Sequence, residues 1–203
     1  MSSTKVSYFN GKGLAETIRI LLKYGKVDFE DIRFEKENWP EIKPTVPFGQ
    51  VPIYEEDGKK INQSVAISRY LAKKFGLTGS NEWEDLELDA IVDTITDFRM
   101  KAVPIYMESD PDKKEVIKQD FLVETVPYYL EKFDKIAGEN GGFMAIKKFT
   151  WADIVMLTVT DLVSVLVGQD ITEKYQNIQN VKKYVKEIPA IKEWIETRPE
   201  TEF

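Results

Sequence analysis

Val51-Pro52-Ile53-Tyr54-Glu55-Glu56-Asp57-Gly58-Lys59-Lys60-Ile61-Asn62-Gln63-Ser64 is the stretch on which the fold turns. Two short runs, 51–55 and 59–62, flank Asp57-Gly58. A two-residue Asp-Gly connection accepts the left-handed backbone that a tight hairpin demands, so the runs are predicted to be antiparallel neighbouring strands. From Ser64, the residues Ile67, Tyr70, Leu71 and Phe75 recur at helical spacing, and Gly76 closes the helix. Working backwards, Ile32 and Phe34 alternate with Asp31 and Arg33 as a strand. Leu14, Ile18, Leu21 and Leu22 mark a helix with Gly25 at the cap position, and Lys5-Val6-Ser7-Tyr8-Phe9 reads as an opening strand. The order is β-α-β, an irregular link, then β-β-α. It is the order of an α/β thioredoxin-like domain, assigned to residues 1–79.

Beyond a polar, turn-rich linker at Leu77 to Glu82, strand alternation stops. Leu88, Ile91, Val92, Ile95 and Phe98 mark a long helix that ends or bends near Pro104. Val116, Leu122, Val126, Leu130 and Phe133 mark a second, with a bend expected at Pro127. Thr150-Trp151-Ala152-Asp153 opens a third with the pattern of a capping box, Asp standing where Glu or Gln is usual. Amphipathic stretches follow at Val181 to Ile188 and Ile191 to Ile195, with Pro189 between them. Residues 82–203 are therefore expected to form an all-α helical domain.

Composition narrows the chemistry. Of the 203 residues 42% are hydrophobic and 31% charged, the balance of an ordinary globular protein. The formal charge of −7 argues against nucleic acid, which needs a clustered basic surface. The most apolar run, Ile154 to Val167, is interrupted by Thr158, Thr160, Asp161 and Ser164. It is too short and polar to span a bilayer and reads as a buried core helix, so no membrane association is expected. No basic start leads into an apolar stretch, so no secretory signal is expected either, and the chain is assigned to the cytoplasm. The sequence contains no Cys and no His. A thiolate nucleophile, a zinc-thiolate site and a His-based triad are all excluded. Any reactive thiol must be borrowed from a bound molecule.

Four places carry possible chemistry. Tyr8 stands at the end of the first strand, ahead of the Gly11-Lys12-Gly13 loop. A phenol there either packs at an edge or reaches a cleft beyond the strand's end. A phenol O–H donated to a sulfur favours the thiolate by roughly 1.5–3 kcal/mol, enough to bring a thiol from about 8.5 towards neutral. Pro52 inside a strand marks an edge or a cis peptide bond. Ser64 is a natural N-cap, and the same helix start offers N–H groups to a carboxylate. Asp85, Asp89, Asp93 and Asp97 stack on one helix face, as a solvated acidic surface or as an attraction for a cation, metal or amine.

Together Tyr8, Trp39-Pro40-Glu41-Ile42-Lys43, Pro47-Phe48-Gly49-Gln50-Val51-Pro52, Gln63-Ser64, Ala66-Ile67-Ser68-Arg69-Tyr70-Leu71 and Thr150-Trp151-Ala152-Asp153 resemble the sigma-class glutathione transferases over essentially the whole chain. Ile91-Val92-Asp93-Thr94-Ile95, Asp97-Phe98-Arg99 and Pro127-Tyr128-Tyr129 are more similar to the arthropod members than to the vertebrate branch, the haematopoietic prostaglandin D synthases. The resemblance implies the glutathione transferase fold, a cytosolic homodimer, and glutathione as co-substrate. It implies that Tyr8 bonds the glutathione sulfur, that Trp39 and Lys43 hold the glycine carboxylate near Gly49 and Gln50, and that Val51, before a cis Pro52, pairs with the cysteinyl unit. Gln63 and Ser64 would bind the γ-glutamyl carboxylate. Asp97 would reach the γ-glutamyl amine bound by the other subunit. Phe9, Leu14, Arg99, Val103 and Tyr106 would line the acceptor site.

Departures from the vertebrate pattern sharpen the implied activity. Leu14 replaces an Arg near the thiolate, Thr96 replaces one Asp of a metal-binding cluster, and Pro104 replaces an aromatic of the prostaglandin pocket. The implied function is conjugation of the glutathione thiolate to small hydrophobic electrophiles, both xenobiotics and lipid-peroxidation products, as in detoxification. No metal is expected. The alternatives are a glutathione-dependent prostaglandin D isomerase and a non-catalytic ligand-binding or structural member. The latter typically carries an insertion in the helical domain, and none is apparent between Phe98 and Phe121.

Overall fold

The computed structural model describes residues 4–201. By compactness it divides into two units. One takes the chain up to Leu77 and again from Ile188, and the other is Thr78–Glu187.

In the first unit, strands β1 (Thr4–Phe9), β2 (Glu30–Phe34), β3 (Ile53–Glu56) and β4 (Lys59–Ile61) form a four-stranded sheet in the order β2-β1-β3-β4. β1 runs parallel to β2, and β3 is antiparallel to both β1 and β4. Asp57 and Gly58 have φ of 50° and 78°, the doubly left-handed turn that the Asp-Gly signal called for. Helices α1 (Glu16–Tyr24) and α3 (Ser64–Lys74) pack on one another. Val6, Ile18, Leu21, Leu22, Ile53, Ile67 and Leu71 are buried among them. Gly25 caps α1 without adopting a left-handed φ; Lys26, at 53°, takes that role. Gly25 is small for another reason: a Cβ there would lie 2.4 Å from the Phe75 ring.

The link between β2 and β3 holds a short helix α2 (Trp39–Ile42) among three 3-10 turns.

The second unit is helical: α4 (Glu82–Met107), α5 (Pro111–Asp120), α6 (Val126–Glu139), α7 (Trp151–Val167) and α8 (Gln176–Glu187). Asn81 caps α4, its side chain accepting from the N–H groups of Trp83 and Glu84. Pro104 lies inside the last turn of α4, which runs on to Met107. A bend was expected at Pro127; the irregularity seen in this run is a π-helical turn over Phe121–Thr125, ahead of that proline. Pro127 follows as the second residue of α6 and has no N–H to give to the carbonyls of the turn before it.

α7 is the core of this unit and packs on α4 and α8. Every residue from Trp151 to Thr160 is buried. The threonines that break its apolar run are satisfied internally, Thr158 donating to the Val155 carbonyl (3.2 Å) and Thr160 to that of Met156 (2.6 Å). α8 takes its cap from far away, since Asp134 on α6 accepts from the N–H groups of Asn177 (2.7 Å) and Ile178 (3.0 Å). Among the described residues no helix is long and apolar enough to cross a membrane.

The last helix, α9 (Pro189–Thr197), was grouped by its periodicity with the helical residues 82–203. It packs instead on α1 in the first unit, where Ile191 and Trp194 are buried.

Thr150 and Asp153 form a reciprocal capping box at the start of α7. Asp153 is fully buried and accepts from the N–H groups of Thr150 (2.7 Å) and Met144 (2.7 Å). Burial pushes its carboxyl from 3.8 up to about 6, against the downward pull of those donors. A folded-state value above the unfolded one means that the folded chain keeps a proton the unfolded chain has lost. Stability therefore falls as pH rises from about 4 to about 6. Asp153→Asn should abolish that part of the slope while lowering stability by about 1–3 kcal/mol, because one buried N–H loses its acceptor. Urea melts across this window check it; an unchanged slope in the variant would assign the dependence to another group.

Candidate active site

Tyr8 sits one residue before the end of β1, opposite Arg33 of β2. On the other side the ladder with β3 ends at the Ser7–Ile53 pair. In an antiparallel register the residue after Ser7 lies level with the residue before Ile53, which brings Tyr8 to the level of Pro52. The Val51–Pro52 bond is cis.

The Tyr8 ring is fixed by the loop that follows it. Its oxygen accepts from the backbone N–H of Leu14 at 3.3 Å. Gly13 has φ of +42°, and a Cβ there would lie 2.6 Å from Tyr8 Cε1 and 2.7 Å from Tyr8 Oη. Only a residue without a side chain lets the backbone come this close. An N–H on one lone pair polarises the phenol and strengthens it as a donor to a further acceptor.

From Tyr8 a chain of contacts runs through the other expected ligand residues of this unit. Tyr8 meets Phe9 edge to face at 5.5 Å, and Phe9 meets Trp39 at 5.3 Å and Phe34 at 5.0 Å. Trp39 lies nearly parallel to Phe34, at 6° and 6.1 Å, so its indole is held on two sides by rings. Lys43 follows α2, and its stem lies over Gly49, where a Cβ would be 3.1 Å from Lys43 Cγ. Gly49 has φ of +59°. Gln50 Oε1 then accepts from Asn62 Nδ2 (3.3 Å) and Gln63 Nε2 (3.2 Å), which ties the 47–50 turn to the start of α3.

Ser64 is not the N-cap that the sequence suggested. It is the first residue of α3, and Gln63 occupies the cap with φ of 80°, a costly conformation for a residue with a side chain. The Gln63 side chain makes no cap bond to this helix start. The leading N–H groups of α3, beside the Ser64 hydroxyl, suit a carboxylate.

The remaining expected residues belong to α4 in the other unit. Asp97 is exposed there, as is Asp93. Arg99, Val103 and Tyr106 recur at helical spacing on α4, and Arg99 donates to the Met100 sulfur at 3.1 Å. Of the acidic stripe, Asp85 is engaged, accepting from the Gly79 N–H at 2.8 Å.

Two contributors were not singled out from the sequence. Asn62, 7% exposed, bridges the Pro47 carbonyl and Gln50; a polar residue between the hairpin and a helix start was its only signal. The Leu14 N–H has no signal, because any side chain at position 14 would supply it.

Gly13→Ala should be disruptive out of proportion to one methyl group. A side chain at this φ costs about 1–3 kcal/mol before any clash with Tyr8 is counted, so melting should fall by several degrees. An unchanged melting temperature would contradict the close approach.

Comparison with known proteins places the chain in a family. The family described as Glutathione S-transferase, N-terminal domain, matches residues 4–73, and that described as Glutathione S-transferase, C-terminal domain, matches 96–198. Glutathione S-transferase S1 of Drosophila melanogaster is 43% identical over 195 residues, 96% of this chain and 78% of the fly protein. Hematopoietic prostaglandin D synthase of Gallus gallus is 42% identical over 202 residues, 99% of each chain. The solved structure of prostaglandin synthase D of Nilaparvata lugens superposes with a TM-score of 0.95 at 46% identity, covering 98% of this chain and 100% of that one. With both domains matched and full-length relatives this similar, the chain belongs to the glutathione S-transferase family.

Proposed function

We propose that the protein is a sigma-class glutathione transferase that conjugates the glutathione thiolate to small hydrophobic electrophiles, working as a cytoplasmic homodimer in detoxification. The observation that carries this reading is the Tyr8 oxygen, held by the Leu14 N–H near the end of β1. The Tyr8 O–H then donates to the sulfur of bound glutathione. At roughly 1.5–3 kcal/mol for a bond to a charged partner, this lowers the thiol by about one to two pKa units. The thiolate forms a carbon–sulfur bond at the electrophilic centre, while the thiol proton leaves to solvent. In an addition the carbon–carbon π bond breaks and its electron pair takes up a proton from water. In a substitution the leaving group, such as chloride, departs with the bonding pair.

The other assignments follow charge complementarity. Trp39 and Lys43, with Gly49 and Gln50, face the glycine carboxylate. The Val51 backbone pairs with the cysteinyl unit, and the α3 start at Gln63 and Ser64 takes the γ-glutamyl carboxylate. Asp97 serves the γ-glutamyl amine bound by a second copy of the chain. In such a homodimer Phe48, 92% accessible in a left-handed backbone at the tip of the 47–49 turn, would be available to the second copy. Phe9, Leu14, Arg99, Val103 and Tyr106 are the acceptor-site residues. The second reading, a prostaglandin D isomerase, is favoured by the names of the chicken and planthopper relatives, both prostaglandin synthases. Leu14 speaks against it, leaving a backbone N–H as the donor at this position.

With 1-chloro-2,4-dinitrobenzene as acceptor, Tyr8→Phe should lose at least about tenfold in turnover and raise the bound thiol's pKa by about a unit. Equal activity in the two proteins would remove Tyr8 from the chemistry, and a wild type that binds glutathione without conjugating would support the carrier reading. Asp97→Ala should weaken glutathione affinity several-fold while sedimentation still reports a dimer. An unaltered affinity would exclude the contact across the two-fold axis.

A further inference from the structure

Arg19 is the largest charged side chain in the interior of the first unit. It is 0% exposed on α1, in the midst of Ile18, Ile20, Leu21 and Leu22. Its Nη1 donates to the carbonyl of Gly11 at 2.7 Å and to that of Lys12 at 3.3 Å. The same nitrogen meets Glu16 at 3.3 Å, while Nε donates to Asp31 at 2.8 Å. Glu16, itself 3% exposed, is engaged from the far end of the chain: its Oε1 accepts from Trp194 Nε1 at 2.8 Å and from Arg198 Nη1 at 2.7 Å.

A buried ion cluster of this size is weak evidence for stability, because apolar side chains of equal volume commonly serve as well. What apolar side chains cannot do is hold two successive carbonyls in place. The carbonyls are those of the loop that positions Tyr8. Asn10 N–H reaches the Phe34 carbonyl (2.9 Å), Gly11 N–H reaches that of Phe9 (2.7 Å), and Arg19 takes the carbonyls of Gly11 and Lys12. The next two residues are Gly13, which lies against the Tyr8 ring, and Leu14, whose N–H meets the Tyr8 oxygen.

We infer that Arg19 is a positioning residue for Tyr8, and that the chain's last helix is part of the same device. Arg19 fixes the Gly11–Lys12 backbone so that the Leu14 N–H stays on the phenol oxygen. Glu16 fixes Arg19, and Trp194 and Arg198 fix Glu16. A lysine at position 19 keeps the charge but offers a single ammonium in place of the planar fork. It does not reproduce the bonds to Asp31 and to the two carbonyls at once. The inference rests on the reading of Tyr8 as the donor to the glutathione sulfur.

The test is a double-mutant cycle on full-length protein, read by the ultraviolet absorbance of glutathione thiolate against pH. Arg19→Lys should raise the bound thiol's pKa by at least about half a unit, a roughly threefold fall in its acidity constant. Arg198→Gln should move it the same way by less. Glutathione affinity should stay within about twofold, so the loss falls on turnover and not on KM. In the Tyr8→Phe background both shifts should vanish, since the positioned group is gone. A lower melting temperature with an unmoved thiol pKa would make Arg19 purely structural and overturn the proposal. So would an equal shift in the Tyr8→Phe background, because the effect would then bypass Tyr8. If Tyr8→Phe alone leaves the thiol pKa where it was, the assignment of Tyr8 fails first and this inference falls with it. Should Arg19→Lys not fold, Arg198→Gln, at a side chain 20% exposed, carries the same cycle.

Discussion

The oxygen of Tyr8 is held by one backbone N–H, and much of the first unit is arranged so that this contact persists. The chain must turn within a few residues of β1 and come back against the ring it has just left. Gly13 makes the approach sterically possible. Bonds from the Gly11–Lys12 backbone to a buried guanidinium hold it there. A phenol fixed in this way donates without first paying for its own orientation, and preorganisation of this kind is the usual source of electrostatic catalysis. The protein contains no thiol of its own, so its chemistry depends on what it does to a borrowed one.

The residues proposed to bind glutathione in the same unit follow a related logic. Aromatic rings hold Trp39, the stem of Lys43 lies over Gly49, and the amides of Gln50, Asn62 and Gln63 tie a turn to a helix start. Gln63 keeps a left-handed backbone among these contacts, and strain of that sort collects where a ligand is to be bound. The Gln63 side chain turns to Gln50 instead of capping α3, and a helix start of this kind suits an anion.

Much of the fold was legible because its signals are local. Asp57-Gly58 specifies a hairpin through backbone sterics alone, and the Thr150–Asp153 pair announces α7 three residues apart. Where a partner comes from far along the chain, the sequence was silent or misleading. Serine is the better N-cap by propensity, yet Gln63 takes the position, where its amide reaches Gln50. Pro127 suggested a bend at its own position, yet the irregularity in the α5–α6 run is a π-turn that ends two residues before it. Helix α9 has the periodicity of its helical neighbours, and its packing on α1, with the bonds of Trp194 and Arg198 to Glu16 some 180 residues away, shows where it lies. The site was legible as a set of residue types, through the resemblance more than through any one motif. The Leu14 N–H and Arg19 were not, since a backbone donor has no letter in the sequence and periodicity does not distinguish a buried arginine from an exposed one.

A crystal structure with glutathione bound tests the central claim most directly, through the distance from its sulfur to Tyr8 Oη. A separation within about 3.5 Å, with the Leu14 N–H still on the same oxygen, is the result expected. A sulfur pointing away from the ring, or a tripeptide seated elsewhere than along Trp39, Gln50 and the start of α3, would contradict it.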